Sequence, residues 1–423
     1  MLHVAKSATV KYSDVFVPGG FPTYTYNPRE SRQLEDTIRE VTDSHKLLVV
    51  TGPTKSGKTV LVNKVFPSNE NLWIDGGAIS SEESFWELIV SALDGYTEEQ
   101  IENGEDLQYT ISGESEMEGN ILLARAKAGL AGTIASTGRT TILQRRAMSN
   151  KNKAISLLQE TKIPLIIDDF HYISRDIQKS IVRALKALIM HGVPVICIAI
   201  PNRKFDVIEV ERELTGRMTS IEMPVWDLPE LEIIAKNGFI ALNTKIDDKK
   251  IAEFAIEAFG SPFLMQEFCH TICKKSGISE KKKHQQYIDN TYNLDEIFAE
   301  IANNSGRSMF EKLKRGPRTR TDRKPRKMKS GAVLDIYGVV MEALQHLRPG
   351  IETITYDTLR ANIREVLADD LPQHGEIARV LEKIAEISHT DTSSTPVIDW
   401  QKDDDILTIT DPFFAFFLKW SKE

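Results

Sequence analysis

The sequence predicts an α/β fold in which helices cover both faces of a parallel sheet, followed by a helical region and a small C-terminal domain. Three observations carry this prediction. Short apolar runs that suit buried strands recur through the first half of the chain, with helical patterns between them. A glycine-rich turn joins the first run to the helix that follows it. The C-terminal part shows three helical patterns and then two short strands.

The composition is that of an ordinary globular protein. The 423 residues, 41% hydrophobic and 27% charged, are too many for one core, so two or three domains are expected. We expect no membrane span, since no apolar run approaches the roughly 18 residues required and the N-terminal stretch lacks a signal-peptide core. The cysteines Cys197, Cys269 and Cys273 are too few for a disulfide framework, which favours the reducing cytoplasm. The net charge of −8 provides no global attraction to nucleic acid.

The glycine-rich turn carries a phosphate-binding pattern. Gly52 and the run Gly57-Lys58-Thr59 match G-x-x-x-x-G-K-[ST], directly after the apolar run Leu47–Val50. The glycines allow successive backbone N–H groups to face a phosphate at a helix N-terminus. Lys58 is expected to reach the β- and γ-phosphates of a nucleoside triphosphate, and the Thr59 hydroxyl to bind Mg²⁺.

Three residues between the two glycines complete this loop. Thr54, Lys55 and Ser56 are expected to contribute backbone N–H groups rather than side-chain chemistry. The pattern therefore predicts a site for ATP with Mg²⁺. The alternative is a glycine-rich strand-to-helix turn that binds no ligand.

An acidic pair follows a second apolar run. Asp168 and Asp169 stand where the run Pro164–Ile167 ends, and Asp168 is the expected outer-sphere anchor for Mg²⁺. Asp169 occupies the place where many ATPases have a glutamate that polarises the attacking water. Its side chain is one methylene shorter, so slow hydrolysis is expected. The alternative is a strand that ends in a solvated acidic turn. His171 either senses the phosphate state or packs at the strand end.

Two further candidates follow a third predicted strand, Val193–Ile200. Asn202 would lie between the two motifs and contact the γ-phosphate or the water, although a plain loop asparagine fits equally well. Arg217 stands at the junction of a helix with a predicted strand over Met218–Met223. If subunits pack side by side, its guanidinium would face a neighbour's nucleotide and neutralise transition-state charge. The alternative is a surface arginine, and Arg212 is a weaker candidate for the same role.

With these features in this order, the first half of the chain resembles an AAA+/STAND-type P-loop ATPase, where STAND denotes the signal-transduction ATPases with numerous domains. The double aspartate in "LIIDDF" matches the form common in STAND proteins better than the Asp-Glu pair of most AAA+ motors. The resemblance implies a P-loop NTPase domain over residues 1–228, interrupted by an insertion at about 94–150. It also implies a helical lid over residues 229–300.

The resemblance assigns further contacts to the nucleotide. The segment before the first helix looks like the entry to such modules, which places Tyr24, Tyr26 and Arg29 near the adenine or the phosphates. AAA+ motors usually carry a sensor arginine on the lid after a glycine, whereas this chain reads Gly260-Ser261-Pro262-Phe263. A Gly-x-Pro at this place resembles STAND lids, in which the proline, here Pro262, abuts the nucleotide.

The insertion has two halves of different composition. Residues 97–119 are acidic, and residues 120–138 are rich in alanine and glycine. The second half could form a helical hairpin for a partner or for the next subunit. The alternative is a solvated loop with one packed helix.

A basic linker over residues 301–330 separates the lid from the last domain. Within it we call residues 312–329, where most side chains are Lys or Arg, the strap. Two prolines and a glycine argue against a helix there and predict a flexible, positive segment. The strap could bind DNA or RNA phosphates in a salt-dependent way, or it could neutralise the acidic body or the acidic insertion.

Residues 331–423 are predicted to form a winged helix. The wing tip carries Asp403-Asp404-Asp405, which would repel nucleic-acid phosphates, so a protein-contacting or autoinhibitory domain is favoured. The predicted helices cover 333–347, 355–367 and 375–388, the strands 396–400 and 406–410, and a closing aromatic helix 411–420.

These features favour a regulatory switch. The chain would bind ATP and Mg²⁺, hydrolyse ATP slowly, form homo-oligomers on ATP binding and act on a separate effector, as in prokaryotic signalling or antiviral defence. The alternative is a DNA-handling ATPase, similar to initiators or transposition regulators, that binds DNA through the strap. A small-molecule or nucleic-acid kinase accounts for the phosphate motif but for neither the lid nor the winged helix.

Overall fold

The chain folds into two compact units, as shown by a computed structural model. The sheet unit spans residues 30–52 and 58–223, and the lid unit spans residues 1–29, 53–57 and 224–423. Most of the predicted insertion (95–148), Asn202 and Arg212 lie outside the described residues. The structure describes residues 9–94, 149–200, 216–289, 291–318, 323–350, 353–390, 396–402 and 404–421.

A parallel sheet forms the centre of the sheet unit. Its strands are β1 (Leu47–Thr51), β2 (Leu72–Asp75), β3 (Leu165–Asp168), β4 (Val195–Ala199) and β5 (Met218–Glu222). In the described part of the chain the strand order is β2-β3-β4-β1-β5. All neighbours are parallel, and β1 lies between β4 and β5. The carboxyl ends of β1, β3 and β4 therefore meet at one edge, which is where ligands bind in open sheets of this type.

Helices cover both faces of this sheet, as predicted, and the alternation of β1 shows it directly. Leu47 and Val49 lie in one buried apolar cluster, whereas Leu48 and Val50 lie in another. A strand buried on both faces is a continuous run of apolar residues, and for this reason β1 could be predicted from the sequence. The helices are α1 (Tyr12–Val15, in the lid unit), α2 (Leu34–Asp43), α3 (Lys58–Val65), α4 (Glu82–Asp94), α5 (Asn150–Thr161) and α6 (Arg175–Met190).

The helical region follows in the lid unit. Its elements are α7 (Leu228–Ala241), β6 (Thr244–Lys245), α8 (Asp248–Glu257), α9 (Pro262–Lys275), β7 (Gln286–Tyr287) and α10 (Leu294–Ser305). Gly260 separates α8 from α9 with a φ of +69°, a conformation that L side chains rarely adopt. Ser261 then caps α9 by accepting a hydrogen bond from the Leu264 N–H at 3.4 Å.

The C-terminal part has the arrangement of a winged helix. Three helices pack with a three-stranded antiparallel sheet of order β10-β12-β11, and a closing helix follows. The short strand β10 was not predicted from the sequence. The elements are α11 (Arg307–Arg315), β8 (Arg326–Lys327), β9 (Val333–Leu334), α12 (Ile336–Leu347), β10 (Thr353–Thr355), α13 (Tyr356–Val366), α14 (His374–Thr390), β11 (Ile398–Gln401), β12 (Ile406–Ile409) and α15 (Pro412–Trp420).

The strap differs from its prediction as a flexible segment without a helix. Its first residues belong to α11, which continues to Arg315 and ends at Gly316 with a φ of +64°. Further along, β8 pairs with β9 in a short antiparallel hairpin. Gly316 therefore ends a helix in the strap, and backbone pairing holds Arg326 and Lys327 in a strand.

Three cations in the described part of the strap pair with acidic side chains of the C-terminal part. Lys314 binds Glu342 at 2.6 Å, and Arg323 contacts Asp335. Arg326 is buried and binds Glu376 at 2.6 Å. These contacts agree with the alternative in which the strap neutralises acidic groups of the protein body.

Of the helices in the described residues, none has the length and apolar character needed to cross a membrane.

Candidate nucleotide-binding site

The phosphate loop, residues 52–59, connects β1 to α3. Gly57 has a φ of +92°, and Lys55 adopts the left-handed region at +56°. Lys58, the first residue of α3, donates a hydrogen bond to the carbonyl of Gly52 at 3.0 Å. Thr54 is partly buried. The tight curl that the motif requires is therefore present, with glycine at one of its positive-φ positions.

Within the sheet unit, the predicted Mg²⁺ residues are in direct contact. The Thr59 hydroxyl donates a hydrogen bond to the Asp168 carboxylate, which also accepts the Asp169 N–H at 2.9 Å. Burial raises the pKa of Asp168, opposed by these two hydrogen bonds and by Lys58. Burial likewise lowers the pKa of Lys58 to about 8, opposed by Asp169 and Asp168. The sequence placed these residues in two distant motifs, and the parallel sheet brings them together.

Asp169 follows β3 in the left-handed conformation, with a φ of +49°. Burial, together with Asp168 and Asp75, raises its pKa to about 6, while Lys58 acts in the opposite direction. The His171 Nδ1 lies 4.0 Å from the Asp169 carboxylate, and the His171 side chain is only 5% exposed. The His171 ring also packs against Tyr172, with the ring centroids 4.3 Å apart.

Asp75 is a third carboxylate beside Asp168 and Asp169, and the sequence did not predict it. It ends β2 and lies in register beside Asp168 of β3. Gly76 allows the two strand ends to approach, since a Cβ there would stand 2.5 Å from the Asp169 carbonyl oxygen. The available signal was the Asp-Gly-Gly run after Leu72–Ile74, an apolar stretch too short to stand out as a strand.

Arg217 lies immediately before β5, the edge strand beside β1. Its carbonyl accepts the Leu47 N–H at 2.8 Å, which extends the pairing of these strands. The Nη1 atom of its guanidinium is buried and has no hydrogen-bond partner in the described part of the chain.

Within the lid unit, Trp226, which precedes α7, and Pro262, which begins α9, lie against residues 53–57 of the phosphate loop. The Trp226 indole N–H donates a hydrogen bond to the Ser56 carbonyl at 2.7 Å. A Cβ placed on Gly57 would lie 3.9 Å from Trp226 and 4.0 Å from the Pro262 ring. Pro262, implied by the resemblance to abut the nucleotide, therefore stands beside the loop. Trp226 was not singled out in the sequence.

Arg29 supports Trp226. Its guanidinium forms a buried ion pair with Glu230 at 2.7 Å and lies 4.7 Å from the Trp226 ring centroid. It also donates to the carbonyls of Pro224 and Val225, at 2.9 and 3.1 Å. These contacts give Arg29 a supporting role beneath the chain that carries Trp226. Tyr24, in contrast, is 43% exposed.

The sheet-unit residues fit a magnesium-bound nucleoside triphosphate. A hydroxyl and a carboxylate, the oxygen ligands that Mg²⁺ prefers, are already joined in the Thr59–Asp168 pair. Lys58 supplies a cation at the start of α3, whose N-terminus favours anions.

Comparison with solved structures shows the fold. The chain is similar to a Walker-type ATPase of Pyrococcus abyssi, with 14% identity over 93% of this chain and 96% of that chain and a TM-score of 0.52. It is also similar to the Aeropyrum pernix Orc1 protein in complex with DNA, with 11% identity, coverage of 96% and 94% and a TM-score of 0.43. A Pyrococcus horikoshii STAND protein with a tetratricopeptide repeat sensor matches at 12% identity, 91% and 42% coverage and a TM-score of 0.33.

No protein-family model matches the chain, and no curated protein matches its sequence. The phosphate loop, the acidic strand end and the structural similarity agree with one another. The chain therefore has the α/β fold of a P-loop NTPase, in which helices cover both faces of a parallel sheet, followed by a helical region and a C-terminal part with a three-stranded antiparallel sheet.

Proposed function

We propose that the chain binds ATP with Mg²⁺, hydrolyses it slowly and acts as a nucleotide-dependent switch. The observation that carries this proposal is the joining of Thr59 with Asp168 beside Lys58. Lys58 would hold the phosphates, and Thr59 with Asp168 would hold the metal ion. Bound Mg²⁺ would neutralise charge that develops on the transferred phosphoryl group.

Slow hydrolysis follows from the geometry of Asp169. Its carboxylate is shorter than the usual glutamate and begins from a strained backbone conformation, with a φ of +49°. Its pKa of about 6 leaves it ionised at neutral pH, as a group that polarises water must be. Asn202 and Arg217 remain candidates for contacting the γ-phosphate within the subunit and across an interface, respectively.

The switch role is supported by the lid region. Pro262 stands beside Gly57, and Gly260-Ser261-Pro262-Phe263 lacks the arginine of AAA+ motors. In a switch of this kind, ATP sets the conformation and the assembly of subunits, and hydrolysis resets them. A separate effector, in cytoplasmic signalling or antiviral defence, would receive the output.

A DNA-handling ATPase is the second candidate. The observation in its favour is that Lys324, Lys327 and Lys329 of the strap are exposed. Against it, Lys314, Arg323 and Arg326 of the strap are bound to acidic side chains, and the wing carries Asp404 and Asp405. The switch is therefore the better supported proposal.

The Lys58→Ala variant tests the nucleotide site. It should bind ATP at least about 100-fold more weakly, since the cation that faces the phosphates is lost. Lys64→Ala is the matched control because it removes a lysine from the other end of α3, and its affinity should equal that of the wild type. Equal ATP affinity in Lys58→Ala and the wild type, measured by calorimetry, would overturn the proposed site.

The choice between the two candidates rests on steady-state ATP hydrolysis with and without duplex DNA at two salt concentrations. A slow rate of ATP hydrolysis that does not change when DNA is added supports the switch. Stimulation that fades as salt rises would instead assign the exposed strap lysines to DNA phosphates.

A further inference from the structure

The C-terminal helix α15 begins with a buried carboxylate. Asp411 is 8% exposed, and its side chain caps the helix by accepting the Phe414 N–H at 2.8 Å. Burial raises the pKa of Asp411, opposed first by Lys55 and then by the N–H groups of Phe414 and Phe413. The cation that most favours the ionised form of Asp411 therefore comes from the phosphate loop.

Lys55 meets the same helix with its ammonium group. The Lys55 Nζ lies 3.4 Å from the centroid of the Phe413 ring and 5.7 Å from that of Phe263. Desolvation lowers the pKa of Lys55, whereas the charge of Asp411 raises it. The residue as a whole is still exposed, so its side chain can leave this position without disrupting a core.

A rigid aromatic platform holds Phe413 in place. Its ring meets Phe263 edge to face, with centroids 4.9 Å apart, and Phe263 follows Pro262 at the start of α9. A Cβ on Gly19 would stand 3.0 Å from the Phe263 ring, so the N-terminal segment packs closely against Phe263. Phe413 is therefore a fixed π-face presented to Lys55, and not a mobile side chain that happens to be near.

We propose that Asp411 and Phe413 form an intramolecular ligand of the phosphate loop, which engages Lys55 in competition with the phosphates of a nucleotide. This inference rests on the proposed nucleotide site and adds its regulation. The sequence pattern assigned Lys55 only a backbone role, and this inference adds a role for its ammonium group, which cannot contact both the Phe413 ring with the buried Asp411 carboxylate and a bound polyphosphate. Phosphates carry more negative charge than the Asp411–Phe413 pair, so nucleotide binding draws Lys55 away and releases the start of α15.

The competition works in both directions. If the nucleotide weakens the docking of α15, then weakening that docking must strengthen nucleotide binding by the same factor. The winged-helix part would thereby respond to nucleotide binding through α15, although none of its residues would contact the nucleotide.

Two variants weaken the docking and keep the helix. Asp411→Asn removes the charge but retains a residue that caps helices as well as aspartate does. Phe413→Leu removes the π-face and retains an apolar side chain. Each should bind ATP about two- to tenfold more tightly than the wild type, in keeping with the strength of one partly buried cation–π contact. Phe414→Leu is the matched control, since Phe414 is a buried aromatic residue of the same helix that packs in another cluster.

Hydrogen exchange provides the second readout. In the wild type, ATP should speed exchange in the first turn of α15, whereas in Asp411→Asn this exchange should already be fast and unaffected by ATP. Wild-type affinity and ATP-dependent exchange in both docking variants would overturn the inference while leaving the nucleotide site intact. An equal gain of affinity in Phe414→Leu would overturn it as well. Failure of the proposed function would look different, because the wild type itself would then bind ATP no better than Lys58→Ala.

Discussion

Trp226 and Arg29 show how single side chains shape the phosphate loop. The Trp226 indole donates a hydrogen bond to the Ser56 carbonyl. The Arg29 guanidinium, which forms a buried ion pair with Glu230, packs against the same indole ring. The sequence indicated Arg29 through a family resemblance, but its partners are more than 190 residues away along the chain, for example 195 residues for Pro224. Their contact depends on packing between distant segments, so local patterns could not reveal it.

The Trp226→Phe variant tests this support. It removes the 2.7 Å hydrogen bond to Ser56 and retains an aromatic ring beside Arg29. ATP affinity should fall about three- to tenfold, as expected for the loss of one hydrogen bond that positions the loop. Trp400→Phe is the control because the buried Trp400 indole N–H has no hydrogen-bond partner in the described residues. Titration with ATP measures both, and equal affinities would contradict a positioning role for Trp226.

At the scale of elements, helix ends and strand ends carry the site. The apolar runs, the loop motif and the winged-helix pattern were all predictable, since each arises from residues close together in sequence. The strands β2 and β10 were missed because they are short and only partly buried. The sequence singled out the run Gly260-Ser261-Pro262-Phe263, but that Gly260 separates α8 from α9, and why this position requires glycine, became apparent only from the structure.

The Gly260→Ala variant tests that break. A Cβ there would meet Val225 Cγ1 at 2.4 Å, in addition to the strain of a left-handed backbone with a φ of +69°. Gly277→Ala is a matched control, since Gly277 has the same φ of +69° with nothing within 4 Å of the added Cβ. Urea unfolding should show a loss of about 1 kcal/mol for Gly277→Ala and a clearly larger loss for Gly260→Ala. Equal losses would show that contact with Val225 is unimportant.

At the scale of the whole molecule, polar contacts between helices stabilise the sheet unit. Glu82 of α4 accepts hydrogen bonds from Lys151 of α5 at 2.7 Å, from Ser180 of α6 and from Trp86 at 3.2 Å. The bonds from Lys151 and Ser180 lower the pKa of Glu82 to about 2, against the effect of burial. One carboxylate thus connects three helices on one face of the sheet.

This network predicts a specific response to acid. The folded-state pKa of Glu82 lies below its ordinary value, so its contribution to stability is present above about pH 4.5 and is lost as pH falls toward 2. At pH 7, Glu82→Gln should lower the free energy of unfolding by about 1 kcal/mol, since the side chain is partly exposed. The difference from the wild type should shrink at pH 2.5. At pH 7, Lys151→Met should lower the free energy of unfolding by a similar amount. In the double variant with Glu82→Gln the two losses should not add, and full additivity would contradict the network.

The sequence by itself determined the parallel sheet, the phosphate loop, the acidic pair and the winged-helix order. Each of these features depends on residues a few positions apart, because local hydrogen bonding and burial determine their spacing. Only the tertiary structure decided that Thr59 meets Asp168, that Asp75 joins them, and that Lys55 faces the last helix. It also decided that Lys314 and Arg326 of the strap bind Glu342 and Glu376. Such contacts depend on strand register and on packing between distant segments, which no short stretch of sequence encodes.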